Sequence, residues 1–475
     1  MKYVLTALLF VLMLNIQAQP VNNYFEKIRN NDAALTAFFS QMPKGGDLHH
    51  HYSGSVYAET FFDIAVEKDF YVNKKTLELS ASKPAADADW ASFSSLKAGG
   101  SLPGYKLRLL QLWSAKDYNY VDYPSYRQFF ESFGHFGPAS DISERQGLRE
   151  LKERAKTEHV AYIETMFKTI DCDKNIEDLY NFNDKLEEYQ ASKDSSATNL
   201  LLDSLFILIQ RRNVLECAMK FNQELDKLHN ELFIDDDQFT MRYQNFVLRF
   251  MNPVRLFTNL IIAFESANRS PLIVGVNIVA PEHEDVSMHD YWLHMQMFKY
   301  CHMVFPKVKY SMHAGELALG MVKPEELSWH INAAVYEARA NRIGHAVDIP
   351  YEKDCYALMN YMKKNNIAVE INLFSNEFIL KVKDDRHPIM LYKKFGVPIV
   401  ISTDDAGVLR TDLIEQYVLL AKRYKAISYT DIKSFVYNSI RYSFIEEPSL
   451  KQRLITQLDE DFKIFEKKVL ETGKY

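Results

Sequence analysis

The sequence predicts an α/β fold, a (β/α)8 TIM barrel with an N-terminal helix and helical insertions. Three observations carry that expectation. From Phe239 onward, short β-branched runs alternate with amphipathic helical segments, the rhythm of a parallel sheet wrapped by helices. Over the whole chain the strand candidates number eight, enough to close such a barrel. The residues suited to chemistry fall at the C-terminal ends of those strands, where such barrels carry their sites.

The candidates in order are Asp47 to His51, Val160 to Phe167, Tyr243 to Phe250, Leu272 to Val279, Val308 to His313, Asn341 to His345, Ile367 to Asn372 and Val397 to Thr403. The run Val304 to Tyr310 reads as a short buried strand leading into Ser311-Met312-His313-Ala314-Gly315-Glu316. Helical segments between them include Pro324 to Ala338, Tyr351 to Lys364 and Asp412 to Tyr424. One N-terminal helix is expected over Tyr24 to Met42, ended by Pro43. Two stretches, at about 62–129 and 171–237, read as insertions. The aromatic run Tyr126 to Phe136 suits either core or the wall of an apolar pocket.

Composition narrows the function. A chain of 475 residues with 47% hydrophobic and 25% charged residues can bury a large core. The net charge of −7 argues against binding nucleic acid through its phosphates. Met1 to Ala18 has a positive start at Lys2 and an apolar run from Val4 to Leu14. It reads as a secretory signal peptide cleaved after Ala18, leaving one domain over 19–475. The mature protein is then secreted or periplasmic, with no membrane-spanning segment. Four cysteines without short spacing form neither a disulfide framework nor a zinc site, and the sequence does not say which pair could bridge.

Chemistry gathers at five strand ends. Alternation along a strand sends His49 and His51 to one face and His50 to the other. His313, with Glu316 three residues on, adds an imidazole and a carboxyl group. Arg342-Ile343-Gly344-His345 brings another imidazole, Glu370-Ile371-Asn372 with Ser375-Asn376 brings polar groups, and Ser402-Thr403-Asp404-Asp405 brings two carboxylates. Three imidazoles and one carboxylate make a zinc shell with room for a water. Glu316 and His345 are left for proton transfer and Asp405 for holding substrate.

These motifs, with Pro43-Lys44 and Asn438-Ser439-Ile440-Arg441-Tyr442-Ser443-Phe444, resemble the adenosine deaminase family of metal-dependent hydrolases. The signal peptide and insertions resemble its secreted branch, the adenosine-deaminase-related growth factors. The resemblance implies one Zn2+ per chain on His49, His51, His313 and Asp404. It implies Glu316 as the acid on purine N1, His345, alone or with Asp404, as what orients and deprotonates water, and Asp405 on N7. The implied reaction is hydrolytic deamination of adenosine or 2′-deoxyadenosine to inosine or 2′-deoxyinosine plus ammonia.

Departures from the family pattern fall on the substrate side. Ser53 stands where cytosolic members carry an Asp that holds the ribose, and Ala280 replaces a Gly whose N–H meets the base. Asn277 lies in the same strand, and Ala406 replaces a common Pro. Those changes keep open a different 6-aminopurine nucleoside or base as substrate. A secreted binding or signalling protein with a relic barrel is the reading from another class. The partner expected is a small purine nucleoside, and the N-terminal helix and insertions offer surfaces for a homodimer.

Overall fold

The structure, a computed structural model, describes residues 20–85, 89–172 and 176–472. The expected signal peptide lies outside them, and among the described residues no helix is long and apolar enough to cross a membrane. Eight parallel strands form the centre: β1 Gly45–His51, β2 Val160–Lys168, β3 Thr240–Leu248, β4 Ile273–Val279, β5 Ser311–Ala314, β6 Arg342–His345, β7 Ala368–Ile371 and β8 Ile399–Ile401. They pair as two four-stranded sheets, β1-β2-β3-β4 and β8-β7-β6-β5.

Backbone hydrogen bonds join the two sheets into a ring. Val276 N–H donates to Lys309 O at 3.1 Å between β4 and the start of β5. After β8, Asp404 N–H donates to His49 O at 2.9 Å, and His51 N–H donates to Asp404 O at 3.2 Å. The second seam brings Asp404 beside the two histidines of β1. Strands enclosed on both faces read as nearly continuous apolar runs, which is why β4 and β7 were legible in sequence.

Three expectations need correction. The N-terminal segment is two helices, 20–28 and Asp32–Gln41, because Asn31 leaves helical geometry and its side chain accepts Ala34 N–H at 3.0 Å. Val304 to Tyr310 is no strand: helix Asp285–Val304 runs into it, Pro306 follows, and β5 starts only at Ser311. Pro324 to Ala338 is split into a 3-10 turn, a short α turn and a π turn. There the Glu352 carboxylate accepts the N–H groups of Ile331 at 2.5 Å and Asn332 at 3.3 Å, capping a new start inside the segment.

Between β1 and β2 stand a small antiparallel sheet (Tyr71–Asn73, Leu79–Ser80, Trp90–Ser92) and several helices. Helix Ser125–Ser140 among them reaches over the barrel mouth, and its aromatic residues divide between two jobs. Phe136 is buried and stacks on Phe61 at 4.8 Å, whereas Phe130 and Phe133 face the cavity described below. Between β2 and β3 lie helices Asn183–Ala191, Ser195–Arg211 and Glu216–Glu231, tied to the chain after β2 by a Cys172–Cys217 disulfide.

The Asn438–Phe444 motif braces the barrel. Gly46 N–H donates to Ser439 Oγ at 2.7 Å, Asn438 Nδ2 donates to Ile399 O at 3.0 Å, and Phe444 N–H donates to Glu164 at 2.5 Å.

Candidate active site

Strand alternation delivers His49 and His51 to the barrel interior and turns His50 away, onto Thr165 Oγ1 at 3.0 Å. Asp47 on the same strand binds Thr403 Oγ1 at 2.6 Å, and His49 N–H donates to Ser402 Oγ at 3.2 Å. These bonds set the register between β1 and the turn after β8. His49, His51, His313 and Asp404 thereby converge, each offering a ligand atom within 4.8 Å of the others. His51 Nε2 lies 3.3 Å from Asp404 Oδ1 and 3.1 Å from His313 Nε2.

The hydrogen bonds on the far sides of the rings decide which nitrogens face inward. His49 Nδ1 meets Glu370 Oε2 at 2.7 Å, and His313 Nδ1 donates to Asn277 Oδ1 at 3.0 Å. Both therefore present Nε2 to the centre, and His49 Nε2 is buried with no hydrogen-bond partner. Burial resists charging of His49, yet Asp404 and Glu370 push it up to about 10. An imidazole held so firmly between carboxylates attracts a divalent cation as it attracts a proton. Burial drives His313 well below its ordinary value, which keeps it neutral as a ligand must be. The donor set fits a metal ion.

A buried charge chain stands behind His49. Arg342 donates to Glu370 at 2.5 Å and to Glu164 at 2.6 Å, with its guanidinium 3.5 Å from the centroid of the Phe444 ring. Burial favours the neutral acid in Glu370, but Arg342 and His49 pull it down to about 2. The Arg of the Arg-Ile-Gly-His motif thus acts on a histidine far away in sequence.

Glu316 sits beyond a turn at Gly315, whose φ of +72° is one that glycine adopts without strain. Glu282 holds this turn: its carboxylate accepts Gly315 N–H at 3.1 Å and Glu316 N–H at 2.9 Å, and it pairs with His330 Nδ1 at 2.6 Å. Burial opposes the charge on Glu282, but His330 and Arg249 hold it down to about 2. Burial, then the charges of Asp404 and Glu282, raise Glu316 well above the carboxylate range, so it keeps its proton.

His345 Nε2 lies 3.7 Å from Glu316 Oε1 and 3.9 Å from Asp404 Oδ2. Its Nδ1 accepts from Asn376 Nδ2 at 2.9 Å, so the proton of the neutral ring stands on Nε2, facing both carboxyl groups. Burial lowers His345 to about 3, which keeps it neutral. Asp405 lies so close to Gly54 that a Cβ there would fall 1.6 Å from Asp405 Oδ1. Burial and the Asp404 charge raise Asp405 well above its ordinary value, and its Oδ1 has no hydrogen-bond partner.

Backbone strain gathers at the same place. His345 (φ +64°), Asp404 (φ +66°) and Ala280 (φ +90°) occupy left-handed conformations that cost a non-glycine residue about 1–2 kcal/mol each.

These groups open into a cavity of 750 Å³, lined also by Ser53 and Ala280. His51, Ser53, Ala280, His313, Glu316, His345, Asp404 and Asp405 thus line one cavity, with His49 beside it in the ligand cluster. Hollows of 780 Å³ beside the disulfide and 960 Å³ between the terminal helices lie away from these groups. The sequence reading missed Glu282 and His330 altogether, and it gave Glu370 and Asn277 no part in orienting a histidine.

The sequence model of the adenosine deaminase family matches residues 240–461, which carry His313, Glu316, His345, Asp404 and Asp405. Adenosine deaminase 2 of Dictyostelium discoideum is 24% identical over 446 residues, 89% of this chain and 73% of the relative. The Arabidopsis N6-mAMP deaminase superposes with a TM-score of 0.56 at 19% identity, covering 89% of this chain and 99% of that one. A Burkholderia ambifaria amidohydrolase with bound Zn gives 0.53 at 15% identity, covering 92% and 94%. The chain is therefore similar to the adenosine deaminase family, by its family model over residues 240–461 and by a relative of lower identity along most of its length.

Proposed function

We propose that the protein is a zinc-dependent deaminase that hydrolyses adenosine and 2′-deoxyadenosine to inosine and 2′-deoxyinosine, releasing ammonia. One observation carries this reading: His49, His51, His313 and Asp404 converge within 4.8 Å beside a cavity that also holds the buried Glu316 and His345. His49, His51, His313 and Asp404 would hold one Zn2+, which when bound supplies Lewis-acid activation of water. The Burkholderia relative with bound Zn supports that choice of metal.

The chain's own residues then act on the purine. Glu316 gives its proton to N1, drawing electrons from C6 as water adds there. His345 orients that water through Nε2, and Asp404 Oδ2 takes its proton. Asp405, still carrying a proton, donates to N7. The proton held by Asp404 passes to the 6-amino group, the C6–N bond breaks as ammonia leaves, and C6–O becomes the carbonyl of inosine as its hydroxyl proton restores Glu316. Buried, fixed donors near the ring stabilise the developing charge more than water would.

Ser53 and Ala280 both line the cavity, which favours a second reading in which the substrate is another 6-aminopurine nucleoside. The Cys172–Cys217 bridge supports placing the protein outside the cytoplasm, secreted or periplasmic, since disulfides persist in oxidising compartments. In this reading a signal peptide over 1–18 precedes one barrel domain. Chromatography of an adenosine reaction should show inosine and ammonia in equal amounts. Free adenine would mean that the glycosidic bond, not C6, is attacked.

A further inference from the structure

The cavity has two unlike ends. Its floor carries the histidines and carboxyl groups, whereas its outer wall is apolar. Phe130 and Phe133 from helix Ser125–Ser140 line it together with Phe246 and Phe250 from β3 and the turn after it. At the mouth, Phe250 is 57% and Val286 47% exposed, large apolar side chains open to water beside a deep pocket. The ionisable lining residues are carboxylic acids and histidines, with Glu284 and Asp285 at the mouth. Among the described residues that line the cavity there is no Lys or Arg.

Purine chemistry orients a ligand in this space. C6 and N9 lie at opposite ends of the ring system, so a base whose C6 meets the floor points its ribose outward. The 5′ carbon is then the part nearest the apolar mouth. A cavity of 750 Å³ falls in the range that encloses ligands larger than a simple nucleoside.

We propose that the site takes 6-aminopurine nucleosides bearing an uncharged apolar substituent at the 5′ position, and that it rejects a 5′-phosphate. The inference rests on the deaminase reading above. Glu284 and Asp285, with no cation among the lining residues, repel a phosphate, whereas a short alkyl chain buries against Phe250, Val286 and Phe130. The Arabidopsis structural relative, named for a nucleotide substrate, provides the contrast.

The test compares kcat/KM for adenosine, 5′-deoxy-5′-(propylthio)adenosine and AMP, and measures how tightly the propylthio-inosine product and inosine inhibit. The thioether should be deaminated about tenfold more efficiently than adenosine, and its product should bind more tightly than inosine. AMP should fall at least about a hundredfold below adenosine. Phe250→Ser should bring the thioether-to-adenosine ratio towards one; being a ratio within one preparation, it is insensitive to misfolded protein. A thioether no better than adenosine, or AMP turned over within about tenfold of it, would overturn the inference and leave the deaminase reading standing. Absence of deamination from adenosine and thioether alike would remove both.

Discussion

The carboxylate of Glu282 accepts the backbone N–H of Glu316 at 2.9 Å and that of Gly315 at 3.1 Å, so one buried anion fixes the turn that bears the proposed proton donor. A carboxylate can accept both N–H groups and pair with His330; an amide has a single acceptor oxygen. Glu282→Gln should therefore lower kcat about ten- to a hundredfold by loosening Glu316, with bound metal unchanged. Steady-state kinetics beside metal analysis checks this, and parallel loss of metal would contradict it.

The same substitution makes a stability prediction. Glu282 is held at about 2 in the fold, below its ordinary 4.5, so it stabilises the native state fully above pH 4.5. That contribution fades as pH falls from 4.5 towards 2. Glu282→Gln should flatten the acid limb of a plot of unfolding free energy against pH. An unchanged limb would mean that other carboxylates control it.

Glu370 fixes the tautomer and angle of His49 through Nδ1 and is not itself one of the four candidate ligands. Glu370→Gln should weaken metal binding about ten- to a hundredfold, read by competition with a chromophoric chelator. His313→Ala, which deletes a proposed ligand, should lose metal and turnover together. Glu316→Gln should keep its metal and lose about a hundred- to ten-thousandfold in kcat. Near-normal rates in Glu316→Gln would refute the proton route to N1.

Ala280 adopts φ +90° at the cavity wall, a conformation that penalises a Cβ. Ala280→Gly should raise stability by roughly 1 kcal/mol in denaturant unfolding, with an unchanged m-value. It should also lower KM, because the backbone N–H can approach the base more closely. An unchanged midpoint would show that the surroundings already accommodate the methyl group.

The barrel was legible because its buried strands are short apolar runs in regular alternation with helices. Its candidate ligands were legible because imidazoles at strand ends are conspicuous by type. The residues behind them were not. Glu370 meets His49 across 321 positions, and Glu282 meets Glu316 across 34, so no spacing rule connects either pair. A carboxylate inside the apolar run Ala368–Ile371 was the available clue, since a buried acid needs a partner. The break at Asn31 escaped because the apolar rhythm runs through it, while the interruption is made by one side chain capping its own backbone. Val304 to Tyr310 misled because a short apolar run fits the end of a buried helix as well as a strand.

The most direct test of the central claim is a zinc titration of metal-depleted protein, following the ultraviolet change as adenosine becomes inosine. Deamination should be absent at the start, rise in proportion to added zinc, and level off at about one equivalent per chain, matching the one four-residue candidate ligand set among the described residues. Full activity in the presence of chelator, or none with zinc bound at that stoichiometry, would contradict it.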